Sequence, residues 1–409
     1  MDSIFSKLKG DKTIWIVVAI LAMISVVAVY TSTKALAFKY TGGNTEIYAL
    51  RHAFFLIIGL GLMYIAHLAD YNYYSKIAQI LLIACIPLLL LTGILGRDGR
   101  WIDFPFINLS FQPSELAKLA LIMYLARMLT LKQKTIKSFK DGFFPVFGPV
   151  FLVCFLIFPS DLSTAVLIFI TCLIMMFIGR VHFKHILSLI TLTVVTAALT
   201  ISTLFSLSDD ALKTARLETW KHRLTLFWDD WTTSYYDMDI TKHATQARIA
   251  IANGSLTGLG PGKSRQKNFL PEAYADYIYS IIVEEYGVFG VFGILFLYLF
   301  FLYRCVLIFE RSAGTFGALL AISLAISIVT QAMMNMMVNV GLLPVTGVTL
   351  PLVSRGGTSI IMTCISIGVI LSVDHYSSLK KKGRKKKTKA LPTPAKTSTR
   401  GNPIKLGKI

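Results

Sequence analysis

Charge is scarce in this chain, and negative charge is the scarcer kind. Of its 409 residues 15% are Asp, Glu, Lys or Arg, and the acids number 22 against 41 bases. A soluble protein of this length needs a more highly charged surface, so the composition excludes an ordinary water-soluble enzyme. The five cysteines (Cys85, Cys154, Cys172, Cys305, Cys364) all lie inside apolar runs. They have neither disulfide-framework nor metal-ligand spacing, and read as small core residues. A phosphate-binding P-loop, a dinucleotide fingerprint and a zinc motif are also missing. No small-residue cleavage site follows the first apolar run, which begins at Thr13, so that run is expected to be a retained helix rather than a signal peptide.

Apolar residues make up 55% of the chain, with a mean hydropathy of +0.64. They are gathered in runs near the roughly 20 residues that cross a bilayer. The fold class is therefore all-α: a polytopic integral membrane protein with about ten spans. They are drawn at 13–31, 52–69, 76–96, 113–130, 143–158, 162–179, 183–205, 277–303, 314–338 and 358–376. The fourth carries Glu115, Lys118 and Arg127 and should face the bundle interior, because such residues are costly against lipid. Residues 1–379 form one helical bundle, and 380–409 a basic tail expected to be disordered. That tail holds 12 Lys and Arg and no acid. Directly after a membrane helix it marks the cytoplasmic side and suits anionic lipid headgroups better than nucleic acid. With the N-terminus inside, 25 of the 41 bases fall in inner segments and 6 in short outer loops. Both termini are then cytoplasmic in a multi-pass membrane protein.

The connection 206–276 between spans 7 and 8 is a long extracytoplasmic loop, and loops of that length are usually functional. From Asp209 to Phe227 it places Leu217, Trp220, Leu224 and Phe227 on one helical face, with Arg223 among the cations elsewhere. That pattern suits a helix lying in the headgroup region. From Gly254 to Lys267 it is rich in glycine and cations, a composition that can cradle phosphate and is also common in surface loops.

The loop ends Phe269-Leu-Pro-Glu-Ala-Tyr-Ala-Asp276, directly ahead of an apolar span. An acid at a membrane edge is a functional candidate by default. Its bland alternative is an N-cap for the eighth helix, which is compatible with catalysis. Lys118 lies one turn from Glu115, and the two either neutralise each other or present Lys118 to a cavity. Glu284 and Glu285 are read as packing residues, with a proton path as the alternative, and Asp161 as a cap for the sixth span, with substrate contact as the alternative. Ser354, Gly356 and Gly357 read as a tight structural turn.

Four motifs carry a resemblance. They are Arg100-Trp-Ile-Asp103 with Gln112-Pro-Ser-Glu-Leu-Ala-Lys118; Pro159-Ser-Asp161-Leu-Ser-Thr164; Ser264 through Asp276; and Gly341 through Pro351 followed by Ser354-Arg-Gly-Gly-Thr-Ser359. In this order on ten spans the chain resembles the SEDS family (shape, elongation, division, sporulation; FtsW/RodA-like) over nearly its whole length. Ala273 is more similar to the division branch. Tyr274-Ala275, Ser163, Ser110 and Arg355 depart from the usual pattern.

The resemblance implies a peptidoglycan glycosyltransferase that polymerises lipid II at the outer face of the membrane, for septal wall synthesis in cell division. It implies Asp276 as catalytic residue, with Lys118, Glu115, Gln266, Lys267, Glu272 and Arg223 as substrate contacts. A divalent metal ion (Mg or Mn) would assist the departing pyrophosphate, with metal ligands unknown. A class B penicillin-binding protein (the transpeptidase) and other divisome membrane proteins are the implied partners. The rival expectations are a lipid II flippase and a non-catalytic division scaffold.

Overall fold

The computed structural model describes residues 9–40, 42–97, 99–104, 109–206, 217–232, 243–270 and 272–390. Helices α1 (Lys12–Ser32), α2 (Lys34–Tyr40), α3 (Glu46–Leu68) and α4 (Tyr71–Leu95) come first. They lead to a hairpin of β1 (Ile102–Phe104) and β2 (Leu109–Phe111), with Asp103 paired to Ser110. Next come α5 (Pro113–Leu131), a π-helical turn (Phe139–Phe143), α6 (Phe144–Ile157), α7 (Leu162–Ile178) and α8 (Phe183–Ser206). Then follow α9 (Leu217–Thr232), α10 (His243–Gly254), a 3-10 turn (Gln266–Asn268), α11 (Ile278–Arg311), α12 (Thr315–Asn339) and α13 (Gly357–Ala390).

Among the described residues eight helices are long and apolar enough to cross a membrane: α1, α3, α4, the Phe139–Ile157 unit, α8, α11, α12 and α13. The apolar α7 is shorter. The polar α5 buries Glu115 and most of its length in the bundle, as its composition requires. These ten helices correspond to the expected spans, and the chain is a multi-pass membrane protein.

Burial distinguishes the centre of the bundle from its rim. In α12 78% of the most apolar stretch is buried, against 11% in α8. α12 can therefore carry polar side chains that have partners on every side, whereas α8 presents Leu192, Val194 and Leu199 outward.

The structure corrects the sequence reading in three places. The last helix runs on to Ala390 instead of ending near residue 376, and 391–409 lie outside the described residues. The amphipathic helix of the long loop spans Leu217–Thr232, and 207–216, the start of the expected helix, are likewise outside.

The third correction concerns the glycine-rich stretch, which does not float over the surface. It re-enters beside the second and third turns of α11, where Gly287 interrupts the helix with φ +60° and ψ −143°. The break frees helix carbonyls: Leu259 N–H donates to Glu284 O at 2.9 Å and Gly260 N–H to Glu285 O at 3.0 Å. The Glu284 carboxylate accepts from Ser264 Oγ and, at 3.2 Å each, from the backbone N–H groups of Arg265 and Gln266. Irregular backbone at this depth is tolerated only where its polar groups are paired inside the protein. The N–H groups of Leu259, Gly260, Arg265 and Gln266 are thus committed to α11 and do not form a phosphate cradle.

Candidate active site

Asp276 stands one residue before the N-cap of α11, and the cap position belongs to Tyr277. Tyr277 makes no side-chain cap bond. Asn339, from the end of α12, supplies the missing acceptor instead, with its Oδ1 taking Ser280 N–H at 3.2 Å and Ser280 Oγ at 2.7 Å. Capping therefore falls to another helix, which leaves the Asp276 carboxylate free for other work. Among the described residues no side chain hydrogen-bonds to that carboxylate.

The carboxylate lines a cavity of about 580 Å³. Its walls come from seven parts of the chain: Arg100 and Trp101 before β1, Gln112 and Glu115 at the head of α5, Asp161 and Thr164 at the head of α7, Trp220 and Arg223 on α9, the 272–276 loop itself, Gln331 on α12, and the segment from Gly347 to Ser359. Burial pushes the Asp276 carboxyl up to about 7; the Glu272 carboxylate adds to the rise, Arg223 and Arg100 oppose it, and Asp161 adds a smaller push. Such a group exchanges a proton near neutral pH, which suits a general base.

The surrounding polar groups are held in place by one another. Arg100 Nε donates to Ser160 O at 2.7 Å and its guanidinium lies 3.7 Å from Asp161. Asp161 also accepts Thr164 N–H at 3.2 Å, so it caps α7 and lines the cavity at once. Arg355 is stacked between the rings of Tyr48 and Tyr274, at 4.8 and 4.9 Å. Ser354 Oγ donates to Ala275 O at 2.6 Å, which ties the turn read as structural to the residue before Asp276. Gly347 adopts φ +74°, and a Cβ there would stand 3.5 Å from Asp276 Oδ2. Glu272 takes φ +54°, a strained backbone for a residue with a side chain.

Of the residues expected at the site, Asp276, Glu115, Glu272 and Arg223 line this cavity. Lys118 sits below it: its Nζ donates to Glu115 Oε2 at 2.7 Å and to Gln331 Oε1 at 2.8 Å, beside a void of about 10 Å³. Glu115 and Gln331 border both spaces, so Lys118 reaches the cavity only through them. Gln266 and Lys267 are not brought to Asp276. They belong to the Glu284 cluster, where Lys267 is buried and donates to Gly262 O at 2.5 Å.

Sequence reasoning missed Gln331, Asn335 and Asn339, one polar residue per turn on a single face of the apolar α12. Gln331 Nε2 donates to Thr349 O at 3.1 Å, and Asn335 and Asn339 bind backbone next to the carboxylate. Spacing by four in a membrane span was the available signal. A second cavity, about 520 Å³ and walled by Leu226, Phe227, Val338, Leu343 and Pro344, lies on the far side of Arg223. Among the described residues no group of three or more His, Cys, Asp or Glu is arranged to hold a metal ion.

A family model described as Cell cycle protein (FtsW, RodA, SpoVE) matches residues 11–379. A protein of Nitrosococcus halophilus named "Probable peptidoglycan glycosyltransferase FtsW" is 35% identical over 353 residues, 84% of this chain and 87% of that one. Stage V sporulation protein E of Bacillus subtilis is 33% identical over 384 residues, 91% of this chain and 98% of that one. Among solved structures, a chain from work on the coordination of polymerization and crosslinking by a peptidoglycan synthase complex superposes with a TM-score of 0.70 at 22% identity, covering 90% of this chain and 98% of that one. The rod shape determining protein RodA of Thermus thermophilus does so with 0.60 at 21% identity, covering 90% and 97%. At these identities the two structures speak to the fold.

Proposed function

The chain belongs to the cell cycle protein family of FtsW, RodA and SpoVE, and from that premise we propose how it works as a peptidoglycan glycosyltransferase. The substrate is lipid II, presented at the outer face of a bacterial cytoplasmic membrane with both termini of the chain inside, and the setting is septal wall synthesis. The observation that carries this reading is the Asp276 carboxyl, poised near neutrality in a cavity that also holds Arg100, Arg223 and Arg355.

In the proposed reaction the acceptor sugar's 4-hydroxyl attacks the donor's anomeric carbon. A new C–O bond forms, the bond from the anomeric carbon to the pyrophosphate oxygen breaks, and the hydroxyl proton passes to Asp276. Arg100 and Arg223 line the same cavity as the carboxylate and can stabilise charge developing on undecaprenyl pyrophosphate. A single in-line displacement inverts the anomeric centre. Lys118 contributes through Glu115 and Gln331, fixing the cavity floor instead of touching phosphate. The described residues offer no cage for a resident metal. A magnesium or manganese ion would arrive on the pyrophosphate, as such ions commonly do with phosphate substrates.

The polar path needed by a flippase narrows below Glu115 to a void of about 10 Å³, room for about one water. A scaffold gives no reason for an acid held near neutrality. Within a wall-building assembly, the proposed partners are a class B penicillin-binding protein and other division proteins, with anionic lipid at the basic tail. The test is the product balance: purified chain with its transpeptidase partner should release undecaprenyl pyrophosphate in step with glycan. Lipid II crossing a vesicle membrane with neither product would refute the reading.

A further inference from the structure

Asn335 lies deep in α12, 1% exposed, and never touches the Asp276 carboxylate. Its Nδ2 donates to Asp276 O at 2.9 Å and to Val348 O at 2.7 Å. Val348 follows Gly347, whose backbone stands against Asp276 Oδ2. One amide group therefore joins the residue that bears the carboxylate to the wall that faces it. Asn339 adds a second bond to Asp276 O at 3.0 Å while it caps α11. Only a primary amide or a cation can send two N–H groups from one nitrogen to two carbonyls, and a cation here would add charge to a buried site. Among the long apolar helices α12 and α13 are the most enclosed, so the clamp is mounted on a helix packed on nearly every side.

We infer that Asn335 is a positioning residue: its amide fixes the gap between Asp276 and the Gly347–Val348 wall and keeps water out from beneath the carboxylate. The inference rests on the glycosyltransferase reading only in taking Asp276 as the base. Removing the amide leaves Val348 O without its side-chain donor and Asp276 O with Asn339 alone, so water fills the space. Hydration favours the charged carboxylate, and its protonation moves to lower pH. The titratable and charged groups that face Asp276 or share its cavity are Glu272 and Tyr274 from its own loop, Tyr277 at the head of α11, Arg223 on α9, Arg100 before β1, Glu115 on α5, Asp161 at the head of α7, and Arg355. Asn335 carries no charge, so its loss leaves this set unchanged and acts through position and hydration alone.

The test reads protonation without needing activity. A hydrophobic carbodiimide reacts with protonated carboxyls, and peptide mass spectrometry follows labelling of Asp276 in the full chain across pH 5 to 9. Wild type should lose half its labelling near the value of about 7 set by the site. Asn335→Ala should do so at least about half a pH unit lower, with the glycan polymerisation rate down about tenfold and KM for lipid II little changed. An unmoved labelling midpoint in a folded variant overturns the inference, whatever happens to the rate. If Asn335→Ala does not fold, Asn335→Ser, which keeps one donor, is read in the same way. A shifted midpoint in the variant, with wild type and its transpeptidase partner making no glycan from lipid II, would sustain the clamp and sink the glycosyltransferase reading.

Discussion

At the scale of the residue, the site depends on which carboxylate is left without a structural task. Asp161 caps a helix, Glu284 binds a returning loop and Glu115 holds Lys118, whereas Asp276 has its backbone held and its carboxylate free. As a base it must be ionised, so activity should rise with pH through about 7 and fall away on the acid side; a polymerisation rate flat from pH 5.5 to 8.5 would contradict this. Burial makes its charge costly to the folded state. Asp276→Asn should therefore lose polymerisation and raise the unfolding temperature at pH 8, a trade expected where function strains the fold. Lys118 and Glu115 have side chains 12% and 8% exposed, so removing one leaves a buried charge unpaired. Lys118→Ala should cost about 3–5 kcal/mol, and Lys118→Met with Glu115→Gln should recover much of that without recovering activity. Thermal unfolding in detergent checks both. Asp276 and Glu115 were legible from sequence because acids are so rare in these spans. Gln266 and Lys267 were misplaced because nearness in sequence to Asp276 says nothing about which side of a folded loop they take.

At the scale of the element, α11 begins regular and then breaks at Gly287 so that the glycine-rich stretch can dock. A Cβ at Gly287 would come within 2.6 Å of both Gly258 N and Leu256 O, and its φ of +60° with ψ of −143° is closed to other residues. Gly287→Ala should destabilise by about 3 kcal/mol or more and expose the 254–267 stretch to protease. Gly293→Ala, with nothing within 4 Å, should stay within about 0.5 kcal/mol of wild type. Limited proteolysis and thermal unfolding of the pair decide it. Hydropathy located the spans well, because a bilayer imposes length and apolarity on each helix separately. It could not find the re-entrant stretch, whose polar composition is satisfied by pairing with α11 rather than by water.

At the scale of the whole molecule, seven separated segments converge on one end of the bundle, and the proposed topology puts that end outside. Glu218, exposed on α9, and Lys134, exposed after α5, lie at opposite ends. Glu218→Cys should be labelled by an impermeant maleimide in intact cells, and Lys134→Cys only after permeabilisation. The reverse pattern would invert the topology and, with it, the access of Asp276 to exported substrate. Ten spans and their order could be read from composition, while convergence could not, since it depends on how α12 packs between its neighbours. The measurement that bears most directly on the account is polymerisation of labelled lipid II by the chain with its cognate transpeptidase, comparing wild type with Asp276→Ala at equal amounts of folded protein. The account predicts glycan ladders from wild type and none from the variant; ladders of equal length and yield from both would contradict it.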